Sequence, residues 1–140
     1  MKVRFKKNNK NAITPTYASP GDACLDLYAA SVKRKNNELV IDTGIALEIP
    51  DGFVGLVFPR SSISKTSYML KNSVGVIDSG YRGSVIIKLR EFQEFVLNTY
   101  EAGDRVAQIM IIPRPQIELL EVEELSDSVR GEGGFGSTGS

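Results

Sequence analysis

Short runs of apolar or alternating residues recur along almost the whole chain, and turn-forming residues separate them. Residues 39–41, 45–49 and 53–58 are three such runs, and the clusters Pro50-Asp51-Gly52 and Ala102-Gly103-Asp104 are typical turn formers. Runs that are rich in Val and Ile and spaced in this way are typical of β-strands in a sandwich or barrel. The sequence therefore predicts an all-β fold, a jelly-roll-like sandwich or barrel of short strands.

Three stretches need a separate interpretation. Residues 117–125 have a composition that favours helix, whereas their flanks favour one more strand, and we favour the strand. Residues 63–70 follow serines that are good helix N-caps, and they have room for a helix of about two turns. Residues 95–97 are predicted to form a further short strand.

Composition narrows the function. The chain has 140 residues, enough for one domain with a real core, and 17 basic residues balance 17 acidic ones, so no basic surface for bulk nucleic acid is expected. With no histidine and a single cysteine, Cys24, the sequence excludes an internal disulfide, a structural zinc site and any triad with an imidazole base. A metal would have to be bound by oxygen, which points to Mg²⁺.

No signal sequence and no long apolar segment is evident, so we expect a soluble cytoplasmic protein without membrane contact. We place a β-rich core domain at residues 1–125 and a flexible, glycine-rich C-terminal arm at 126–140. Five glycines between Arg130 and Gly139 leave two interpretations of this arm. It is either a flexible tail of low complexity or a mobile segment that closes over an anionic ligand with a flat ring.

Two polar stretches interrupt the apolar pattern. The sequence "PRSSISKT" at 59–66 combines a guanidinium, hydroxyl groups and a possible helix start, which suits either an anion site or a plain helix cap. The sequence "KNSVGVIDSGYRG" at 71–83 breaks an apolar run at Asp78 and predicts a β-hairpin with an acid at its bend. That acid is either a turn residue or a catalytic base.

A third stretch, "GDRVAQI" at 103–109, places a polar residue in an apolar strand. Gln108 needs a hydrogen-bond partner if it is buried. The simple interpretation of Asp104 and Arg105 is a structural ion pair.

In order and spacing, five segments resemble the five motifs of the trimeric dUTP pyrophosphatases, the dUTPases. They are "GDACLDLYAA" (21–30), "PRSSISKT" (59–66), "GVIDSGYRG" (75–83), "GDRVAQI" (103–109) and "RGEGGFGSTG" (130–139). The resemblance covers nearly the whole chain. It implies hydrolysis of dUTP to dUMP and pyrophosphate with Mg²⁺, by a water that attacks the α-phosphorus, in a homotrimer whose sites are shared between subunits.

The resemblance also implies roles for individual residues. Asp78 matches the carboxylate that activates the water, and Asp26 matches an acid that contacts Mg²⁺ through water. The alternative for Asp26 is a charged residue on the outer face of a strand. The positions that match substrate-binding residues are Arg60, Ser61, Ser62, Asn72, Gly75, Val76, Ile77, Tyr81, Gln108, Arg130, Phe135, Gly136, Ser137 and Thr138.

Each part of the nucleotide has a matching group. Asn72 and the backbone of 75–77 would read the uracil edge, and Tyr81 would pack against the sugar and exclude a 2′-hydroxyl. Arg130 would meet the γ-phosphate and Phe135 would stack on the base. With these roles the arm is a closing segment rather than a passive tail.

Two other functions compete with this one. The dCTP deaminases are similar in outline but use a Glu near the hairpin acid, where this chain offers only Asp78. A nucleotide-binding regulator, signalling through the order of its arm, is the second alternative. The complete set of catalytic-type residues argues against an inactive sensor.

Overall fold

The computed structural model describes residues 1–92 and 99–134. A short 3₁₀ helix spans Ser61–Lys65, and within the described ranges there is no helix with the length and apolar character needed to cross a bilayer. The strands are β1 (Arg4–Lys7), β2 (Leu25–Tyr28), β3 (Ser31–Lys35), β4 (Glu38–Glu48), β5 (Phe53–Phe58), β6 (Tyr68–Leu70), β7 (Gly75–Ile77), β8 (Ser84–Glu91) and β9 (Arg105–Pro113).

The strands form two antiparallel sheets. The first sheet has the order β1-β4-β8-β6, with β3 also paired to β4, and the second has the order β2-β9-β5-β7. Alternate residues of the central strands point into the space between the sheets, where they are fully buried. The predicted all-β sandwich is thereby confirmed. The largest side chains of this core are Leu27, Leu39, Ile41, Ile45, Ile49, Ile87, Leu89 and Ile109.

Strand β4 joins two runs that the sequence presents as separate. Its pairing with β8 shifts register between Asp42 and Ala46, so an irregularity lies inside the strand. Gly44 lies there with a φ of 64°, and its N–H donates to Oδ1 of Asp42 at 2.7 Å. This glycine therefore bends one long strand, which lets β1 and β3 pair with its successive halves.

Replacing this glycine is expected to destabilise the fold. A Cβ at Gly44 would lie 2.7 Å from Cβ of Asn9 and 2.9 Å from Cβ of Ala12, in a left-handed conformation that alanine disfavours. We expect Gly44→Ala to lower the free energy of unfolding by about 2–5 kcal/mol, measured by urea denaturation. Gly80→Ala is the control, because a Cβ at Gly80 meets nothing within 4 Å. An equal loss in the two variants would contradict the explanation.

Two local predictions differ from the structure. Residues 117–125 form neither the strand that we favoured nor a helix, and they have no ladder partner among the described residues. The helix expected over 63–70 is instead the five-residue 3₁₀ helix, and β6 begins three residues after its end. The 3₁₀ helix ends where the N–H of Thr66 donates to the carbonyl of Ile63. The chain extends after this point because β6 pairs with β8. The strand predicted at 95–97 lies outside the described residues.

The prediction of a β-hairpin around Asp78 is wrong. Strand β7 pairs with β5 in the second sheet, whereas β8 pairs with β4 and β6 in the first. Residues 78–83 therefore cross from one sheet to the other. The turn-forming pair Ser79-Gly80 is compatible with a hairpin and with a crossing, so the sequence does not distinguish the two. The acid lies at the start of this crossing.

Candidate active site

One cavity brings together six of the predicted site residues. It has a volume of about 230 Å³, and its remaining walls are apolar side chains of β5, β6 and β8. A small cavity with apolar walls and a few polar groups suits a flat heterocycle. The predicted residues that line it are Asn72, Gly75, Val76, Ile77, Asp78 and Tyr81.

A tight turn aims Asn72 at this cavity. Ser73 has a φ of 60°, and the N–H of Val74 donates to the carbonyl of Asn72 at 2.6 Å. A Cβ at Gly75 would lie 3.1 Å from Cβ of Val57 and 3.5 Å from Nδ2 of Asn72. The absence of a side chain at this glycine lets the amide lie against the backbone of β7.

Tyr81 is folded back along the crossing. Its hydroxyl donates to the carbonyl of Ser84 at 3.0 Å, and a Cβ at Gly83 would lie only 2.4 Å from its Oη. The N–H of Tyr81 donates to the carbonyl of Asp78 at 3.1 Å, and Arg82 donates to the carbonyl of Ser79 at 2.6 Å. These bonds hold Tyr81 and Asp78 in one turn, and nothing in the sequence pattern had singled out Arg82 for this role.

A second polar group surrounds Asp26. Its Oδ1 accepts from Nε of Arg60 at 2.8 Å, and its Oδ2 accepts from a terminal nitrogen of Arg105 at 3.1 Å. Arg60 also donates to Oγ of Ser62 at 3.2 Å. Because Leu27 points into the core, its neighbour Asp26 lies on the outer face of β2, yet it is only 7% exposed. The arginines cover it, so it is not a solvated surface acid.

Gln108 belongs to the same group. It lies opposite Asp26 in the register of β2 with β9, and its Nε2 donates to the carbonyl of Pro59 at 2.9 Å. The expectation that this glutamine needs a partner is confirmed. Ser61 begins the 3₁₀ helix beside it, with an exposed side chain and a carbonyl that accepts from Oγ of Ser64.

Arg105 joins this group through its contact with Asp26, and the sequence interpretation missed it. The expected pair with Asp104 is not the one formed, because Arg105 reaches Asp26 across the strands and Asp104 accepts from the N–H of Glu101 at 2.7 Å. The only signal for it was the position of Arg105 on the same strand as Gln108. Two residues that are three positions apart on one strand point to opposite faces of the sheet. The alternation along the strand therefore did not connect Arg105 with Gln108.

The one cysteine lies close to this group but does not add a nucleophile. Burial raises the pKa of the Cys24 thiol, and the nearby charge of Asp26 raises it further. The thiol therefore stays protonated near neutral pH, whereas the thiolate is the reactive form.

The described residues do not form a metal cage of their own. They contain no cluster of three or more His, Cys, Asp or Glu side chains, and both oxygens of Asp26 accept from guanidinium groups. Each oxygen has a second lone pair that could accept from a metal-bound water. Mg²⁺ is commonly held through substrate phosphates with one or two carboxylates. The residues therefore fit a Mg²⁺ ion that arrives on phosphate groups.

Within one chain Asp26 lies three strands away from β7, which lines the cavity. Asp26 on β2 is followed across the second sheet by β9, then β5, and then Gly75 on β7. Three strand spacings correspond to roughly 14 Å. The described residues record no hydrogen bond between the group at Asp26 and the cavity at Asp78.

The arm is described as far as Gly134. Residues 126–132 are exposed, and Nε of Arg130 donates to the carbonyl of Gly133 at 2.8 Å. Four of the predicted substrate-binding residues lie outside the described residues: Phe135, Gly136, Ser137 and Thr138.

Comparison with protein families and known sequences identifies close relatives. The dUTPase family model matches residues 10–139. The deoxyuridine 5′-triphosphate nucleotidohydrolase of Clostridium kluyveri is 42% identical to this chain, and that of Hydrogenobaculum sp. is 38% identical. Each of these two alignments covers 99% of both proteins.

Solved structures agree. A mutant of the Staphylococcus bacteriophage 80alpha dUTPase with dUpNHpp superposes with a TM-score of 0.84 at 31% identity, over 99% of both chains. A mutant dUTPase from phage phi11 of S. aureus, whose structure concerns the coordination of a structural Mg(II) ion, has a TM-score of 0.74 at 27% identity, over 89% of this chain and 98% of that one. The chain therefore belongs to the dUTPase family and is a dUTP diphosphatase, which hydrolyses dUTP to dUMP and pyrophosphate.

Proposed function

We propose that this enzyme reads uracil in the cavity beside β7 and activates the attacking water with Asp78. The observation that carries the proposal is that one cavity collects Asn72, the backbone of β7, Asp78 and Tyr81. An acid at the rim of a base-sized cavity is placed to act on the phosphate chain of a nucleotide bound there. No histidine is needed, because a carboxylate can itself accept the proton of the water.

Recognition of the base follows from the polar groups of the cavity. The amide of Asn72 and the N–H and carbonyl groups of residues 75–77 offer both donors and acceptors to the edge of a pyrimidine. A base with the wrong pattern leaves buried polar groups unpaired, which is costly. The apolar walls formed by Val57 and Ile87 leave little room for a methyl group at C5.

Tyr81 supports discrimination of the sugar. Its ring is held over Gly83 by the bond to Ser84, and its side chain is partly exposed toward the cavity mouth. A ring fixed in this position packs against a deoxyribose and opposes an added 2′-hydroxyl.

The phosphates are assigned to the second polar group. Arg60, Ser61, Ser62 and Gln108 supply guanidinium, hydroxyl and amide donors at the start of the 3₁₀ helix, a set suited to phosphate oxygens. Mg²⁺, when bound, neutralises charge on the phosphate chain, whereas the contact of Asp26 with a metal-bound water stays a prediction from the sequence. Catalysis on this arrangement is mainly positioning and charge stabilisation.

We also propose that three copies of the chain share these sites. The three strand spacings between Asp26 and β7 within one chain, roughly 14 Å, are one support. The second is residues 117–125, in which the apolar side chains of Ile117, Leu119, Leu120 and Leu125 are exposed by 73% or more. Isolated apolar side chains are common on surfaces, but a continuous exposed segment indicates an interface.

Charge indicates where such a segment can bind. Residues 117–127 carry five acidic and no basic residues, whereas residues 1–10 carry five basic and no acidic ones. The N-terminal stretch includes β1, which lies at the edge of the first sheet with all four residues exposed. An open basic edge suits an acidic extended segment from a neighbouring copy.

The arm completes the proposed site. Arg130 would bind the γ-phosphate, Phe135 would stack on uracil, and the backbone and hydroxyls of Gly136, Ser137 and Thr138 would wrap the phosphates. The exposure of residues 126–132 in the single chain is compatible with an arm that reaches a neighbour. The division into a core at 1–125 and an arm at 126–140 rests on the same argument. The cytoplasmic location and the lack of nucleic-acid partners stay predictions from the sequence.

A panel of nucleotides tests the proposal. We expect pyrophosphate release with Mg²⁺ from dUTP and at least about 10²-fold lower kcat/KM for dTTP, dCTP and UTP, since each adds a group that the cavity opposes or presents an edge that it does not match. Release of dUTP or dUMP from dCTP would instead support a deaminase. Comparable rates with UTP would contradict the role given to Tyr81.

A further inference from the structure

The carboxylate of Asp26 binds two arginines, one in the loop after β5 and one at the start of β9. Oδ1 meets Nε of Arg60 at 2.8 Å and Oδ2 meets Arg105 at 3.1 Å. Exposure rises outward through the group, from 9% for the side chain of Asp26 to 22% for Arg60 and 46% for Arg105. The buried carboxylate of Asp26 therefore binds two guanidinium groups that are more exposed than it is. The group of three side chains has a net charge of one positive unit.

The position of Asp26 is fixed on both sides of β2. Its N–H donates to the carbonyl of Thr16 at 2.8 Å, and its register places it opposite Gln108 on β9. Gln108 in turn holds the carbonyl of Pro59, the residue before Arg60. The backbone that carries Arg60 and the carboxylate that holds its guanidinium are therefore set by the same pair of strands.

Two guanidiniums beside each other repel, and the carboxylate between them removes most of that cost. Each guanidinium has five N–H donors, and Asp26 uses one nitrogen of each arginine. Among the described residues Arg60 makes one further bond, to Oγ of Ser62, and the other donors are oriented without being consumed. This is the arrangement that binding of a polyanionic chain requires, because the arginines are ordered before the ligand arrives.

We propose that Asp26 is a positioning residue for a two-arginine phosphate site, and that Arg105 binds the triphosphate beside Arg60. The inference rests on the proposed function and refines it, since Arg105 joins the phosphate-binding residues and Asp26 acts through the arginines rather than through Mg²⁺. Its consequence is that the contribution of Asp26 to nucleotide binding does not depend on the metal.

Calorimetric binding of dUpNHpp separates the two roles. We expect Asp26→Asn and Arg105→Ala each to raise the Kd about tenfold to a hundredfold, the range of hydrogen bonds to charged groups. The factor should be the same in Mg²⁺ and in EDTA, and the Mg²⁺ concentration that gives half-maximal activity should not change. Binding of deoxyuridine, which has no phosphate, should be unaffected.

Combining the variants tests whether the residues act together. Because Asp26 and Arg105 form one unit, the double variant should bind dUpNHpp about as weakly as the weaker single variant rather than by the product of both factors. Arg105→Lys should recover only part of the affinity, since an ammonium keeps the charge but not the fork geometry. Arg105 is half exposed, so its variants keep the test open if Asp26→Asn fails to fold.

Asp51→Asn is the matched control. Asp51 is 97% exposed and lies 3.9 Å from Arg114, so the same substitution there removes an acid with an arginine partner outside the site. Binding of dUpNHpp to this variant should equal that of the wild type. A loss in Asp26→Asn that appears only with Mg²⁺, or a raised Mg²⁺ requirement, would overturn the positioning role. Unchanged binding in Arg105→Ala would overturn the two-arginine site while the nucleotide panel still reports on the proposed function.

Discussion

Asp78→Asn is expected to lower kcat by about 10²–10⁴-fold, the usual contribution of a general base. Asp78 is the only acid that lines the cavity in the described part of the chain. Its carbonyl accepts from the N–H of Tyr81, and that backbone bond remains when the side chain becomes an amide. The substitution therefore removes a proton acceptor and keeps the shape of the crossing.

The loss of turnover should occur without loss of binding or folding. The Kd for dUpNHpp and the midpoint of thermal unfolding should stay close to wild type, which distinguishes a chemical effect from a structural one. Asp51→Asn, with the same change at an exposed position, should keep wild-type kcat. A reduction in Asp78→Asn of less than tenfold would assign the base to another residue.

Two inactive variants are expected to restore activity when they are mixed. One is Asp78→Asn with its arm intact, and the other ends at Val129 and keeps Asp78. Each alone should form trimers with almost no activity. After co-refolding at equal amounts, about a quarter of the sites should combine an intact Asp78 with an intact arm, if the acid and the arm come from different subunits of a symmetric trimer.

The mixing experiment has a clear negative outcome. An arm that acts on the acid of its own chain can never combine the two intact parts, so the mixture would stay inactive. Native mass spectrometry must first show that mixed trimers formed, and each variant refolded alone is the baseline. No recovery in verified mixed trimers would falsify the shared-site proposal.

The sequence predicted the fold class because burial in a sandwich leaves a direct trace in the pattern. In β8, Val85, Ile87 and Leu89 are buried at alternate positions, and only a strand facing one core produces that alternation. Pairing across sheets leaves no such trace. The switch of sheet after Asp78 depends on which strands lie beside β7 and β8, and these are distant in the sequence. The runs 39–41 and 45–49 look separate in the sequence for a related reason, since a bulge and a turn use the same residue, glycine.

The same contrast between local patterns and distant contacts applies to the candidate site. Six cavity residues were identified because they lie within one short segment, from Asn72 to Tyr81, most of which belongs to the third family motif at 75–83. Arg105 was missed because its partner Asp26 is 79 residues away, and a local pattern offers the adjacent acid Asp104 as a more obvious partner. Residues 117–125 were interpreted as a strand from composition. Within residues 1–92 and 99–134 of the single chain they lack the neighbour that a strand needs, and this neighbour is what the trimer proposal supplies.

The crossing at 78–83 has a consequence for the assembly of the enzyme during folding. The acid is carried by the connection between the two sheets, and the cavity takes its walls from both, with Val57 from one and Ile87 from the other. A folding intermediate with only one sheet formed would have half of these walls and no defined place for the carboxylate. Hydrolytic activity therefore requires the two layers to dock within each chain, and the formation of strands alone is not enough.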